Sequence, residues 1–255
     1  MIDIKSEADL ERMRAAARVV VSVQLELEKW VQPGVTTLEL DRLAEKVIRE
    51  AGARPAFKGY RGYPATLCTS INEQVVHGIP GPVVLKEGDI VSLDVGCELA
   101  GFYGDMARTL PVGRISRRAE RLLRDTRASL YAAIDRVKEG GRVSDVSRAV
   151  QDYAEARGYG VVKDFVGHGI GRNLHEEPQV PNFVGAGGRD VRLKAGMVLA
   201  IEPMLNLGSD AVEVLPDRWT VVTRDKSLSA HFEHTCVVTH DGPEILTWMP
   251  TPEGI

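Results

Sequence analysis

Polar and apolar residues alternate along the chain with two different periods, and these divide it into helices and strands. After Ser6, the positions Leu10, Met13, Ala17, Val20, Val21 and Leu25 recur at helical spacing on one face. Ser6 with Asp9 resembles a helix-capping pair, and Pro33-Gly34 is a turn signal before which that helix should end. Thr36 with Glu39 forms a second capping box, opening a helix that Gly52 closes. The basic stretch from Arg114 to Arg127 predicts an amphipathic helix with Ile115, Ala119, Leu122 and Leu123 inward. Positions 90–95, 198–201 and 235–239 are short, β-branched and bounded by Gly, Asp or Pro, which predicts strands.

One helical segment recurs. Gly34 to Gly52 and Gly140 to Gly158 have the same length, with acidic residues at 39 and 145 and arginines at 42 and 148. Aliphatic or β-branched residues match at 40 and 146. The pattern predicts two halves, each a helix followed by a strand region. With no low-complexity segment and no linker, positions 1–255 read as one α/β body without a domain boundary.

Composition narrows the class. The chain is 44% apolar and 27% charged, enough for a buried core and a water-facing surface. A formal net charge of -4 argues against a general nucleic-acid binder. The arginines of positions 114–127 are interspersed with Glu120 and Asp125, which reads as a solvated helix face. No apolar run reaches the roughly 20 residues that cross a bilayer, and the N-terminus lacks a basic-then-apolar signal. Cys68, Cys97 and Cys236 are odd in number and far apart, so a reduced, cytoplasmic compartment is expected.

The chemistry lies in polar residues placed inside apolar strands. Asp94 interrupts Ile90-Val-Ser-Leu-Asp-Val95, and Asp105 follows in Gly101-Phe-Tyr-Gly-Asp105. A tight hairpin turning at Leu99-Ala100 would set the two aspartates opposite each other, with Cβ atoms about 5 Å apart. Like charges that close require a cation or a shared proton between them. Glu202 follows the apolar run 198–201 and precedes Pro203, at a strand end. Strand alternation in the segment 231–238 puts positions 231, 233, 235 and 237 on one face, Glu233 among them. His168 stands between glycines in Gly167-His-Gly-Ile-Gly-Arg172, where the backbone can approach a ligand closely. His77 and His175 each lie in a glycine- or proline-bounded loop. Taken alone, the aspartates also read as exposed turn residues, Glu202 as a salt-bridge residue, Glu233 as an edge-strand charge and His168 as a structural histidine. Together they form an oxygen-rich set suited to divalent metals.

In this order along the chain, the residues resemble a known family. Cys68-Thr-Ser-Ile-Asn-Glu73, Val76-His-Gly-Ile-Pro80, Asp94 with Asp105, Gly167-His-Gly-Ile-Gly-Arg172, His175-Glu-Glu-Pro-Gln179, Ile201-Glu-Pro203 and Glu233-His-Thr235 are similar to motifs of type I methionine aminopeptidases. The resemblance covers essentially the whole chain. It implies an α+β "pita-bread" fold, a curved antiparallel sheet backed by helices with internal pseudo-two-fold symmetry. It also implies that Asp94, Asp105, His168, Glu202 and Glu233 hold two divalent ions (Fe2+, Mn2+, Co2+ or Zn2+), with Asp105 and Glu233 shared between them. Glu202 would shuttle a proton, His175 would stabilise the oxyanion and His77 would hydrogen-bond the scissile amide. The methionine pocket would be walled by Phe57, Tyr60, Tyr63, Cys68, Leu174 and Trp219, whose aromatic and sulfur groups suit a thioether. The implied substrates are peptides and nascent chains that begin with methionine. The expected protein is a monomer with at most a transient ribosome contact, no membrane partner and no specific nucleic acid.

Two rivals share the fold, and the first also shares the metal set. Proline-specific aminopeptidases and dipeptidases of the same fold carry an extra N-terminal domain, for which the chain before Asp94 is too short. A catalytically silent binding protein of this fold would have lost one or more ligands. A serine or cysteine nucleophile is set aside, because neither Cys68 nor Cys236 lies in a motif with a base and an orienting acid.

Overall fold

The computed structural model describes residues 2–185 and 190–249. Among these residues, four α-helices stand on the strands: α1 (Glu7–Trp30), α2 (Thr37–Glu50), α3 (Arg117–Ile134) and α4 (Val143–Glu155). The first half contributes β1 (Arg54–Pro55), β2 (Leu67–Ile71), β3 (Gln74–Val76), β4 (Ile90–Leu99) and β5 (Phe102–Pro111). After α4 come β6 (Gly160–Val161), β7 (Gly167–Gly169), β8 (Glu176–Val180), β9 (Val198–Ile201) and β10 (Met204–Asn206). The chain continues with β11 (Val212–Val214), β12 (Val221–Thr223), β13 (Ser229–His231), β14 (His234–Thr239) and β15 (Gly242–Ile245). The capping residues act as the sequence predicts. Ser6 with Asp9 and Thr36 with Glu39 both close reciprocal capping boxes.

Among the described residues the sheet is antiparallel throughout and comes in four hydrogen-bonded pieces. In one piece, β4 lies between β2 and its hairpin partner β5. In another, β7 lies between β8 and β9, and β9 continues to β14. Helices α1 and α2 cover the first half, where Val20, Leu27, Leu40 and Ile48 bury against Leu67, Leu93, Val95 and Met106. Helices α3 and α4 cover the second, where Leu122, Leu130, Val146 and Val150 bury against Val161, Leu199, Ile201 and Cys236. Gln24 ties α1 to the hairpin beneath it, its amide donating to the carbonyls of Leu93 at 2.8 Å and Met106 at 3.2 Å.

The repeat is real and extends further than the helices. Gly34 and Gly140, which precede α2 and α4, and Gly52 and Gly158, which follow them, all have positive φ. Thr36 bridges Val84, and Arg142 bridges Arg192. Each bridge leads through a Lys-x-Gly turn, Lys86-Glu-Gly88 or Lys194-Ala-Gly196, into the strand that carries a carboxylate. Asp94 and Glu202, 108 residues apart, therefore hold equivalent places in the two halves.

Three expectations need correction. The hairpin turns at Ala100-Gly101 (φ 52° and 83°), with Leu99 facing Phe102. Both turn residues must be left-handed in such a two-residue loop, so the glycine belongs inside it. As a result Asp94 faces Ala107 and Asp105 faces Gly96, so the aspartates are diagonal neighbours on one face and not direct partners. The glycines around His168 serve strand packing. A Cβ on Gly167 would lie 2.3 Å from the Ala200 carbonyl, and one on Gly169 would lie 2.4 Å from that of Glu177. Asp125 is not a surface charge on α3; it is buried and accepts a 2.8 Å hydrogen bond from the Tyr159 hydroxyl.

Candidate active site

The two halves face each other across a cavity of about 180 Å³. The hairpin supplies Asp94 and Asp105, both buried. The second half supplies His168 from within β7, and Glu202 and Glu233 from breaks in its strands. β9 stops at Ile201 and β10 restarts at Met204, while β13 stops at His231 and β14 restarts at His234. On both sides of the gap the register is the same, Ile201 facing His234 and Met204 facing His231. That shared register sets Glu202 opposite Glu233, the direct pairing that the sequence suggested for the aspartates. The Glu233 N–H donates to the Ala107 carbonyl (2.8 Å), and the Thr235 hydroxyl donates to that of Asp105 (2.8 Å). These two bonds stitch the halves together beside the carboxylates.

His168 is held by its own backbone. Its Nδ1–H donates to the Gly169 carbonyl at 2.9 Å, which leaves the Nε2 lone pair facing the cavity. Ligand atoms of Asp105, His168 and Glu233 all lie within 4.8 Å of one another. Asp94 and Glu202 line the same cavity, and His168 Nε2 is 3.7 Å from Glu202 Oε1.

Electrostatics show what this cluster lacks. Burial, with Glu202 nearby, pushes the Asp94 carboxyl up to about 7. Burial and the neighbouring carboxylates push Asp105 and Glu233 well above the ordinary range. Asp94 Oδ1 and Glu233 Oε1 are buried without a hydrogen-bond partner. Orphaned carboxylate oxygens converging with an imidazole lone pair are a donor set for divalent cations, and the residues present fit that role.

The rest of the cavity wall is apolar and aromatic. Phe57, Cys68 and Leu174 are buried, and Tyr63 meets Trp219 edge-on at 5.1 Å. The Tyr63 hydroxyl is spent on the carbonyls of Leu67 (2.8 Å) and Gly78 (3.0 Å), so its ring presents hydrocarbon to the cavity. Tyr60 stacks on His175 at 5.3 Å, and its hydroxyl lies 2.9 Å from His175 Nδ1. His175 in turn packs against His168, with centroids 4.2 Å apart. His77 stands at φ 60°, a left-handed conformation costly for a non-glycine residue, with its ring against Phe165 and Trp219. Burial lowers the affinity of both His77 and His175 for a proton, His175 to about 4, so both are neutral at pH 7.

Every residue singled out in the sequence lines this one cavity. The sequence reading missed Arg61, Val76, Phe165 and Val166, which complete its wall, and His231, which lies behind Glu202. For His231 the signal was present, since strand alternation already placed position 231 on the face of Glu233.

A carboxylate cage with a histidine, opening on an apolar slot, defines a metallopeptidase. The chain belongs to metallopeptidase family M24, whose profile matches residues 11–240. Within that family it is similar to the methionine aminopeptidase of Clostridium perfringens, 53% identical over 97% of this chain and 99% of that protein. The crystal structure of the methionine aminopeptidase of Thermotoga maritima superposes with a TM-score of 0.94 at 47% identity, covering 97% of this chain and 99% of that one. The prolidase of Pyrococcus horikoshii shares the fold at 21% identity and a TM-score of 0.80, with 97% of this chain and 64% of that one covered. The pita-bread fold implied by the sequence is thus the observed one.

Proposed function

We propose that this chain removes the initiator methionine from peptides and nascent proteins. The observation that carries the reading is the meeting, in one cavity, of four carboxylates and a histidine with a slot of aromatic and sulfur side chains. Asp94, Asp105, His168, Glu202 and Glu233 would hold the divalent metal. When bound, the metal supplies Lewis-acid activation of water and of the scissile carbonyl. Iron, manganese, cobalt and zinc all suit oxygen-rich ligation with one imidazole, and availability decides among them.

The protein's own groups do the rest. Glu202 accepts the proton of the attacking water and passes it to the leaving amine. The Tyr60 hydroxyl donates to His175 Nδ1, which leaves Nε2–H free to donate to the oxyanion. A neutral His77 donates to the scissile peptide from the opposite wall. Phe57, Tyr60, Tyr63, Cys68, Leu174 and Trp219 take the methionine side chain and exclude water from the reacting bond. The chain beyond the scissile bond must run outward, which favours a small second residue.

The test uses metal-stripped protein with Met-Ala-Ser and with Xaa-Pro peptides, with and without Mn(II) or Co(II). Metal-dependent release of methionine from Met-Ala-Ser alone is expected. Cleavage confined to Xaa-Pro bonds would transfer the protein to the proline-specific branch of the family.

A further inference from the structure

Buried polar groups are almost always hydrogen-bonded, so a buried imidazole with two idle nitrogens requires an explanation. His231 is 1% exposed, and neither ring nitrogen has a hydrogen-bond partner. The residue is rigidly placed. Its N–H donates to Thr109 Oγ1 at 2.9 Å, and that hydroxyl donates to the His231 carbonyl at 2.8 Å. With the Thr109 proton so used, the 2.9 Å contact between Ser92 and Thr109 has Ser92 as its donor. One side chain of the first-half hairpin therefore clamps the His231 backbone from both sides and fixes where its side chain starts.

From that base Nε2 lies 3.4 Å from Glu202 Oε2, while Glu202 Oε1 lies 3.7 Å from His168 Nε2. The carboxylate is bracketed by two imidazoles, one for each oxygen, and their chemistry differs. His168 has committed its Nδ1–H to the Gly169 carbonyl and offers only a lone pair inward. The Nδ1 of His231 has no such commitment, so its Nε2 is free to carry the hydrogen.

We propose that His231 is a positioning residue for Glu202: its imidazole donates Nε2–H to Oε2 and holds Oε1 turned towards His168 and the metal. This rests on the proposed function, which makes Glu202 a ligand. Glu202 sits in a strand break, half-buried, and its side chain needs such a restraint. Hydrogen bonds behind a metal ligand commonly contribute about 10- to 100-fold to metal affinity. The 3.4 Å separation is long for such a bond, and catalytic hydrogen bonds tighten as a site assembles.

His231→Leu removes the donor at similar bulk, and His231→Gln returns an N–H at comparable reach. Calorimetric titration of the metal-stripped proteins with Co(II), with the visible spectrum of each Co(II) form, reads the site without turnover. The leucine variant should bind Co(II) about 10- to 100-fold more weakly in at least one binding event and show a changed visible band. The glutamine variant should recover most of that loss. Wild-type affinity and spectrum in the leucine variant would overturn the proposal. Equal loss in both variants at an unchanged Tm would overturn it too, because the imidazole itself would then be required. Should the leucine variant not fold, nitrogen NMR of histidine in the Zn(II)-loaded wild type decides. A hydrogen on Nε2 of His231 supports positioning, and a metal-shifted Nε2 or a hydrogen on Nδ1 overturns it. If the wild type itself binds no metal, the fault lies with the proposed function.

Discussion

Asp94 and Glu202 are delivered by the same frame and end in different environments. Each follows a capped helix flanked by positive-φ glycines, a single bridge and a Lys-x-Gly turn. After Asp94 the strand continues to Leu99 with a neighbour on both sides, Cys68 on β2 and Ala107 on β5. After Glu202 the strand is interrupted by Pro203 and resumes at Met204. Asp94 is consequently locked, wholly buried, and costly to ionise. Glu202 is one methylene longer, half-buried, and served by two imidazoles. On the proposed function, a repeated scaffold would thus provide a fixed metal ligand in one half and a carboxylate able to handle a proton in the other.

The largest test of this division is a matched pair of charge removals. Glu202→Gln should lower turnover of Met-Ala-Ser by about 100- to 10,000-fold, the range of a lost general base. Asp94→Asn should act first on metal affinity, so excess metal should restore more of its activity than that of the glutamine variant. Steady-state rates against metal concentration separate the two. Equal rescue of both variants would erase the distinction.

Strand packing gives a somewhat smaller effect. β7 enters its sheet only because Gly167 admits the Ala200 carbonyl. Gly167→Ala should destabilise the protein by about 1–3 kcal/mol, as overpacking does, and weaken metal binding through His168. Urea unfolding and a metal titration on one preparation measure both. A stable variant with displaced metal affinity would show β7 shifting without unfolding.

Much of this was legible in the sequence, and the exceptions have physical causes. Capped helices and carboxylates inside apolar runs could be read because local chemistry dictates them: Thr36 with Glu39 forms its box whatever lies around it. Register is another matter. Moving the hairpin turn by one residue changes every partner, and the decision between Leu99-Ala100 and Ala100-Gly101 rested on which pair tolerates positive φ. The role of Gly167 depends on Ala200, a strand distant in sequence. His231 likewise acquires its meaning only from Glu202 and Thr109, neither of which is a sequence neighbour.

The pH response should sharpen the contrast between the two carboxylates. The folded-state pKa of Asp94 is raised from 3.8 to about 7, so its protonated form favours the folded, metal-stripped protein. That contribution is present in full below the unfolded value and is lost as pH rises through about 7. Metal-stripped protein should therefore lose stability between about pH 4 and 7, and Asp94→Asn should reduce that loss. Metal must displace this proton and those of the other raised carboxyls, so apparent affinity should fall by at least about tenfold per pH unit below 7. Thermal melts across pH, with and without Mn(II), test both signs.

The smallest effect concerns the turn that sets the register of the aspartates. Ala100 occupies a left-handed conformation at φ 52°, beside Gly101 at 83°. An alanine there pays a steric penalty that asparagine, whose side chain bonds locally to the backbone, largely avoids. Ala100→Asn should stabilise the protein by up to about 1 kcal/mol and leave turnover unchanged, because the partners of Asp94 and Asp105 stay the same. A rise of a few degrees in Tm at constant kcat/KM is the expected result for a chain of this size. An altered kcat/KM would mean that the turn does more than hold register, and that the first-half ligands are less firmly fixed than their burial implies.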